Sequence, residues 1–353
     1  MMRLLRQRWW KFLGIPLLVY SVVAGLYIPL GPGIVSVKPD STQRGTVIAL
    51  DIITYNTHFR EGDPSLNVVL KNEHNLICNN DITYISPTHL NVEFGIDPNL
   101  KIIGKKDFYN LIIYNEQDGT FFLRDAFAIG RQDSVVGTAF QCLTILKPAS
   151  PSGITIPNRE ILYESIRNLF YHVPMWFTMI LLMLFSFVSS ILYLSKARAT
   201  DDLMASSSAV VGLFFGLLGI LTGMQWAKVT WGAMWVSDPK LNGAALGILV
   251  YLAYFVLRGS LTNAQSRARI SAVYNVFAFV LFIVFILIVP RMTDSLHPGS
   301  GGNPGFNTYD LDHVMRPIFY SAVAGFTIVG FWLVSLITRY RILKSSSSEN
   351  QYL

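Results

Sequence analysis

The chain has 353 residues, 52% of them hydrophobic and only 14% charged, with a net charge of +6. A soluble domain carries about a quarter charged residues, so much of this chain belongs in lipid. The basic excess does not indicate nucleic acid: Lys and Arg gather beside apolar runs, as topogenic signals do, and no nucleic-acid motif accompanies them.

Arg3, Arg6, Arg8 and Lys11 precede the first apolar run, 12–30. That run is longer than a signal-peptide core of about 7–15 residues, so it reads as a retained helix, with a cleaved signal peptide as the alternative. Five further runs, 174–194, 208–224, 241–257, 273–289 and 318–337, approach the roughly 20 residues that cross a bilayer core. The middle three are short. Lys196 and Arg198 follow the second run, Arg258, Arg267 and Arg269 the fourth, and Arg339, Arg341 and Lys344 the sixth. These segments and the N-terminus share one face, which the positive-inside rule makes cytoplasmic, with both termini inside. The outer face then receives the segment between the first two runs, a tryptophan-rich loop, and the loop 290–317.

Residues of about 33–157 read differently. Leu66-x-Val68-x-Leu70 and Leu90-x-Val92-x-Phe94-x-Ile96 have the period of half-buried strands. Tyr109–Tyr114 and Thr120–Leu123 flank Asp118-Gly119, a hairpin signal. The expected fold class is therefore a polytopic α-helical membrane protein of six transmembrane helices with an inserted extracytoplasmic all-β, sandwich-like domain. The expected domains are a first helix with a basic cytoplasmic N-terminus (1–31), the β domain (32–165), a five-helix domain (166–341) and a cytoplasmic tail (342–353). Cys78 and Cys142 lie in the β domain. Outside the membrane, in an oxidising compartment, they are either bridged, closing a loop of about 64 residues for a gain of about 4 kcal/mol, or two buried thiols. His58, His74 and His89 show no metal-ligand spacing and read as ordinary residues.

The segment 226–240 sets Trp226, Trp231, Trp235, Asp238 and Lys240 in a short break between two apolar runs. Interfacial anchoring accounts for one or two such tryptophans. Three within ten residues, with Trp176 nearby, offer a broad aromatic surface for a flat ligand. Asp238-Pro239 is an N-cap followed by a favoured first helical residue, compatible with a further role in orienting the loop. His172 stands before Pro174 at the start of the second run, and His297 shortly after the fifth. Pro174 suits a helix's first turn, which places His172 just outside the helix. Two imidazoles on one outer face are either solvated interfacial histidines or axial ligands bracketing a haem iron. His313 competes as a ligand. Lys228, Lys240, Arg291 and Arg316 stand outside against the charge bias, facing either haem propionates or the acids Asp294, Asp310 and Asp312. The glycine-rich stretch 299–305 follows no strand and opens no phosphate-binding helix. No acid–base pair or nucleophile constellation stands out, so no enzymatic activity is assigned.

At these residues the chain resembles the haem-handling proteins of cytochrome c biogenesis, the haem exporter protein C group with its tryptophan-rich WWD domain. Four blocks carry the likeness: His172-Val-Pro, Trp226 through Leu241, Leu296-His297, and Met315-Arg316 before the last run. It covers roughly 168–341 and the first helix. Ser237 stands where many members have tryptophan and Lys240 where many have arginine, and the inserted β domain is absent from the common short form. The resemblance implies that His172 and His297 are axial ligands of non-covalent haem b and that 226–238 forms its platform. It also implies a bacterial inner membrane, and a haem carrier or apocytochrome c as recipient, in some members beside ABC-type transporter subunits. Rival readings are a permease for haem or another small molecule, and a membrane sensor whose outer β domain binds the signal. A permease needs polar groups near mid-membrane, and the six runs hold few ionisable residues.

Overall fold

A computed structural model describes residues 9–131, 153–159, 162–297 and 311–350. The chain divides into two compact units, Ile28–Glu164 and the helical remainder on either side of it.

Among the described residues, the first unit holds eight strands: β1 (Gly33–Lys38), β2 (Ser41–Gln43), β3 (Val47–Tyr55), β4 (Asn67–Lys71), β5 (Leu76–Ser86), β6 (His89–Gly95), β7 (Lys106–Asn115) and β8 (Gly119–Gly130). The alternating segments anticipated above became β4, β6, β7 and β8. Their inward residues, among them Val68, Leu70, Leu90, Val92, Phe94, Leu111 and Ile113, form the core. Asn115 pairs with Gly119 across the predicted hairpin turn, where Gly119 takes φ 74°.

The sandwich expectation needs correction. All eight strands join one sheet in the order β1-β3-β6-β5-β4-β7-β8-β2. β1 and β2 occupy opposite ends of that order, yet only Pro39 and Asp40 separate them. Two linking residues reach about 10 Å, so the sheet has to curl until its ends approach, giving a half-barrel. Every pairing is antiparallel except β2 with β8. Cys78 pairs with Val69 across β4 and β5, while Cys142 lies outside the described residues. His58 and His89 bond Asp118 and Asp51, and His74 is exposed in a turn.

The second unit supplies six helices long and apolar enough to cross a membrane. They are α1 (Trp9–Tyr27), α2 (Leu169–Lys196), α3 (Ala199–Trp231), α4 (Pro239–Ser260), α5 (Ala264–Ile283), which continues through a π-turn at Val284–Ile288 into the short α6 (Val289–Met292), and α7 (Met315–Asn350). The chain is a multi-pass membrane protein. α1 packs antiparallel to α7: Lys11 Nζ donates to Ser335 Oγ at 3.1 Å, Ser21 Oγ donates to the Ile318 carbonyl at 3.3 Å, and Gly14 lies against Ile328.

The third span is 33 residues long, well beyond the apolar run read from sequence. Polar residues at its first end stay helical because neighbouring helices satisfy them. Arg258 of α4 grips Asp202 with two hydrogen bonds of 2.7 Å, and Arg341 of α7 donates to Ser206 at 2.8 Å and Ser207 at 3.2 Å. Ser186 of α2 donates to the Ala205 carbonyl at 2.7 Å and accepts from Asn275 of α5 at 2.8 Å. At the other end, nothing stops the helix before Gly232, whose φ of 79° is the left-handed turn that glycine supplies at a helix C-terminus.

The π-turn follows from Pro290. Val289 N–H bonds the Val284 carbonyl five residues back, and in that register the Phe285 carbonyl would need the N–H that Pro290 lacks. Gly243 of α4 instead backs directly onto the Phe285 oxygen, where a Cβ would collide. Gly243→Ala is expected to lower stability by about 1–3 kcal/mol, measured by thermal unfolding in detergent; an unchanged midpoint would show that α4 and the π-turn are not tightly seated.

Candidate functional site

The contact between α2 and α3 is built around a row of glycines. Gly212, Gly216, Gly219 and Gly223 recur at intervals of four, three and four residues, which places them on one face of α3. Opposite them on α2 stand Met183, Met179, Trp176 and His172 in turn. A Cβ on Gly219 would lie 2.9 Å from the Trp176 ring, and one on Gly223 would lie 2.7 Å from His172 Cε1. Small residues allow such close approach between membrane helices. His172 is therefore seated directly on α3.

This placement corrects the expectation that His172 lies just outside its helix. A 3-10 segment, Tyr163–Asn168, leads into α2 at Leu169, so His172 is in the helix and Pro174 is an interior residue. Burial of Phe170 on the bundle extends the helix ahead of the proline, whose missing N–H costs one backbone bond.

His172 Nδ1 lies 3.1 Å from Thr222 Oγ1. That hydroxyl already donates its proton to backbone, with the Leu218 carbonyl at 2.9 Å and the Gly219 carbonyl at 3.0 Å. It has one proton to give, so it accepts from His172 Nδ1–H. The tautomer assigned by this network leaves His172 Nε2 with its lone pair. Asn168 Nδ2 donates to the Thr222 carbonyl at 3.2 Å, tying the start of α2 to the same turn of α3.

The second histidine is held by a buried carboxylate. Asp238 caps α4, with Oδ1 accepting from Lys240 N–H at 2.9 Å and Leu241 N–H at 3.4 Å. The expected cap is present, and the same carboxylate also holds the segment 295–297. Asp238 Oδ2 accepts from Ser295 Oγ at 2.9 Å and Leu296 N–H at 2.8 Å, while His297 Nδ1 lies 3.0 Å from Oδ1. Burial acts to raise the Asp238 pKa, but these hydrogen bonds and the proximity of His297 outweigh it and hold the carboxyl below its usual range. An ionised carboxylate only accepts, so His297 donates from Nδ1 and Nε2 keeps its lone pair. Burial, joined by the charge of Lys240, pushes His297 below its ordinary value against the pull of Asp238. The imidazole is thus favoured in its neutral, ligand-competent form.

Trp226 and Trp231 lie on the last turns of α3 and not in a loop as expected, since no residue breaks the helix before Gly232. Their rings are 5.0 Å apart, and each contacts His297, with centroids at 5.8 Å and 5.0 Å respectively. Trp226 follows Gly223 by three residues, so the two histidines meet α3 within one turn of each other.

The remaining expected site residues make different contacts. Trp235 is exposed in the link between α3 and α4. Lys228 donates to the Gly232 carbonyl at 3.1 Å and so caps α3. Arg291 and Arg316 are exposed and donate to the Leu287 and Leu311 carbonyls at 2.6 Å and 3.2 Å. His313 is 90% exposed and belongs to neither imidazole cluster. The stretch 299–305 and Asp310 lie outside the described residues. Sequence reasoning missed Thr222, Ser295 and Gly223. The glycine spacing on α3 was a legible signal; a lone threonine and a lone serine gave none.

A family model described as heme exporter protein C matches residues 137–352, well over half of the chain. The chain belongs to the heme exporter protein C family. The heme exporter protein C of Paracoccus denitrificans is 28% identical over 180 residues, which cover 50% of this chain and 73% of that protein. That of Rhodobacter capsulatus is 25% identical over 178 residues, with 50% and 73% covered. A cytochrome c biogenesis protein CcsA of Gloeothece citriformis is 34% identical over 108 residues, 30% of this chain and 32% of the relative. The heme exporter protein C match begins after β8, so the eight strands lie outside it.

Proposed function

We propose that the chain is a haem-handling protein of cytochrome c maturation that holds haem b without a covalent bond and presents it to a carrier or to apocytochrome c. His172 and His297 are the axial ligands. Trp226 and Trp231 wall the site with apolar ring surface, Trp235 extends that platform, and Asp238 orients His297. Lys240, Arg291 and Arg316 meet the propionates. The basic residues after the second, fourth and sixth spans support an orientation in which this end of the bundle faces outward, in a bacterial inner membrane. ABC-type subunits are compatible partners, and the chain's own part is binding and handover.

One observation carries the reading. Two imidazoles from separate segments adjoin the same end of α3, and each has Nδ1 engaged by an acceptor, which leaves both Nε2 atoms as donors to iron. The bound iron would gain two neutral nitrogen ligands, the set that gives low-spin haem.

The absorption spectrum of the full chain purified in detergent tests this. Low-spin bands are expected in the wild type and are expected to be lost or altered in both His172→Ala and His297→Ala. Colourless protein after expression with ample haem, or spectra indifferent to both substitutions, would refute the assignment.

A further inference from the structure

The two histidines differ in what holds them. His297 Nδ1–H points at a carboxylate with no exposed side-chain surface, which also accepts from Ser295, Leu296 and Lys240. His172 Nδ1–H points at the neutral hydroxyl of Thr222. A charged acceptor draws the Nδ1 proton and raises the electron density that Nε2 offers to a metal, whereas a hydroxyl does so weakly. Ligand strength is therefore unequal across the site.

Resting on the bis-histidine reading above, we infer that His172 is the exchangeable axial ligand and His297 the anchor: handover begins when an incoming ligand takes the coordination position of His172. In that exchange the His172 Nε2–iron bond breaks and the electron pair returns to Nε2. The incoming donor supplies its own pair, and neither iron nor protein changes oxidation state. Thr222 and Asp238 are positioning residues that set the order of release.

The location of His172 agrees with this order. Its ring is pressed against Gly223 and held by Thr222, both on α3, so it has contacts of its own apart from the metal. His297 keeps its own contacts with Trp226, Trp231 and Asp238.

Carbon monoxide is the probe, because it replaces one axial ligand of ferrous haem. The full chain is loaded with haem in detergent and reduced, and the vibrational signature of its carbonyl adduct is compared with those of His172→Ala and His297→Ala. That signature reports the ligand opposite the carbon monoxide. The wild-type adduct is expected to match His172→Ala, in which His297 remains. Thr222→Val, a milder change, is expected to speed carbon monoxide association several-fold, while Asp238→Asn weakens haem retention by roughly 10–100-fold. A wild-type adduct matching His297→Ala, an equal mixture of the two signatures, or an association rate untouched by Thr222→Val would overturn the inference. A wild type lacking low-spin haem altogether would instead overturn the site assignment on which it rests.

Discussion

Asp238→Ala should release haem and loosen the fold at once. The carboxylate receives hydrogen bonds from Lys240, Leu241, Ser295, Leu296 and His297, so its removal strands donors from two segments. Loss of the α4 cap alone costs about 1 kcal/mol, and each buried donor left unpaired adds about 1–3 kcal/mol. Haem retention should fall by roughly 10–100-fold, because the ring of His297 loses the partner that fixes its tautomer. Haem content by pyridine haemochrome and the unfolding midpoint of the apoprotein report the two effects separately. Asp238→Asn divides them further, since its amide oxygen keeps the cap while its NH2 group cannot accept from Leu296. If Asp238→Ala lowered the midpoint but left haem content unchanged, the carboxylate would be a cap alone.

A second effect on stability belongs to the opposite end of the bundle. Asp202 and Arg258 have side chains only 13% and 15% exposed, and their two parallel bonds join α3 to α4. Breaking a buried pair from one side leaves an uncompensated charge, at a cost of about 3–5 kcal/mol. Asp202→Ala should therefore destabilise the chain by that amount in detergent denaturation. The double change Asp202→Leu with Arg258→Met should recover most of the loss, because two apolar groups need no partner. A penalty below 1 kcal/mol for Asp202→Ala would mean that water already reaches the pair. Haem content measured on the same samples should change little until the bundle unfolds.

Much of this architecture was legible because lipid and strand pleat impose simple patterns. Six apolar runs became six helices, and the alternation at Leu66–Leu70 and Leu90–Ile96 marked β4 and β6. Boundaries were less readable. Asp202, Ser206 and Ser207 look like the end of a span by composition, yet they lie inside α3 because Arg258 and Arg341 come from other helices to meet them. The half-barrel was hidden for a similar reason: period two identifies strands but does not say which strands meet. Only the short step from β1 to β2 constrained the sheet to curl, and a three-residue strand carries almost no periodic signal. At the site, residue types identified His172, His297, Trp226, Trp231 and Asp238, but not the acceptor behind each imidazole. Thr222 acquires its role through its position opposite His172, fifty residues earlier in the chain.

The widened turn at Val284–Ile288 has a further effect on everything downstream of it. One surplus residue in a coil of about 100° per residue rotates the following segment by roughly that angle relative to an unbroken helix. Arg291 and the approach to His297 therefore point where a regular helical wheel drawn from α5 would not place them. Deleting a single residue between 284 and 288 would re-aim that approach by more than a quarter circle, although no side chain at the site had been altered.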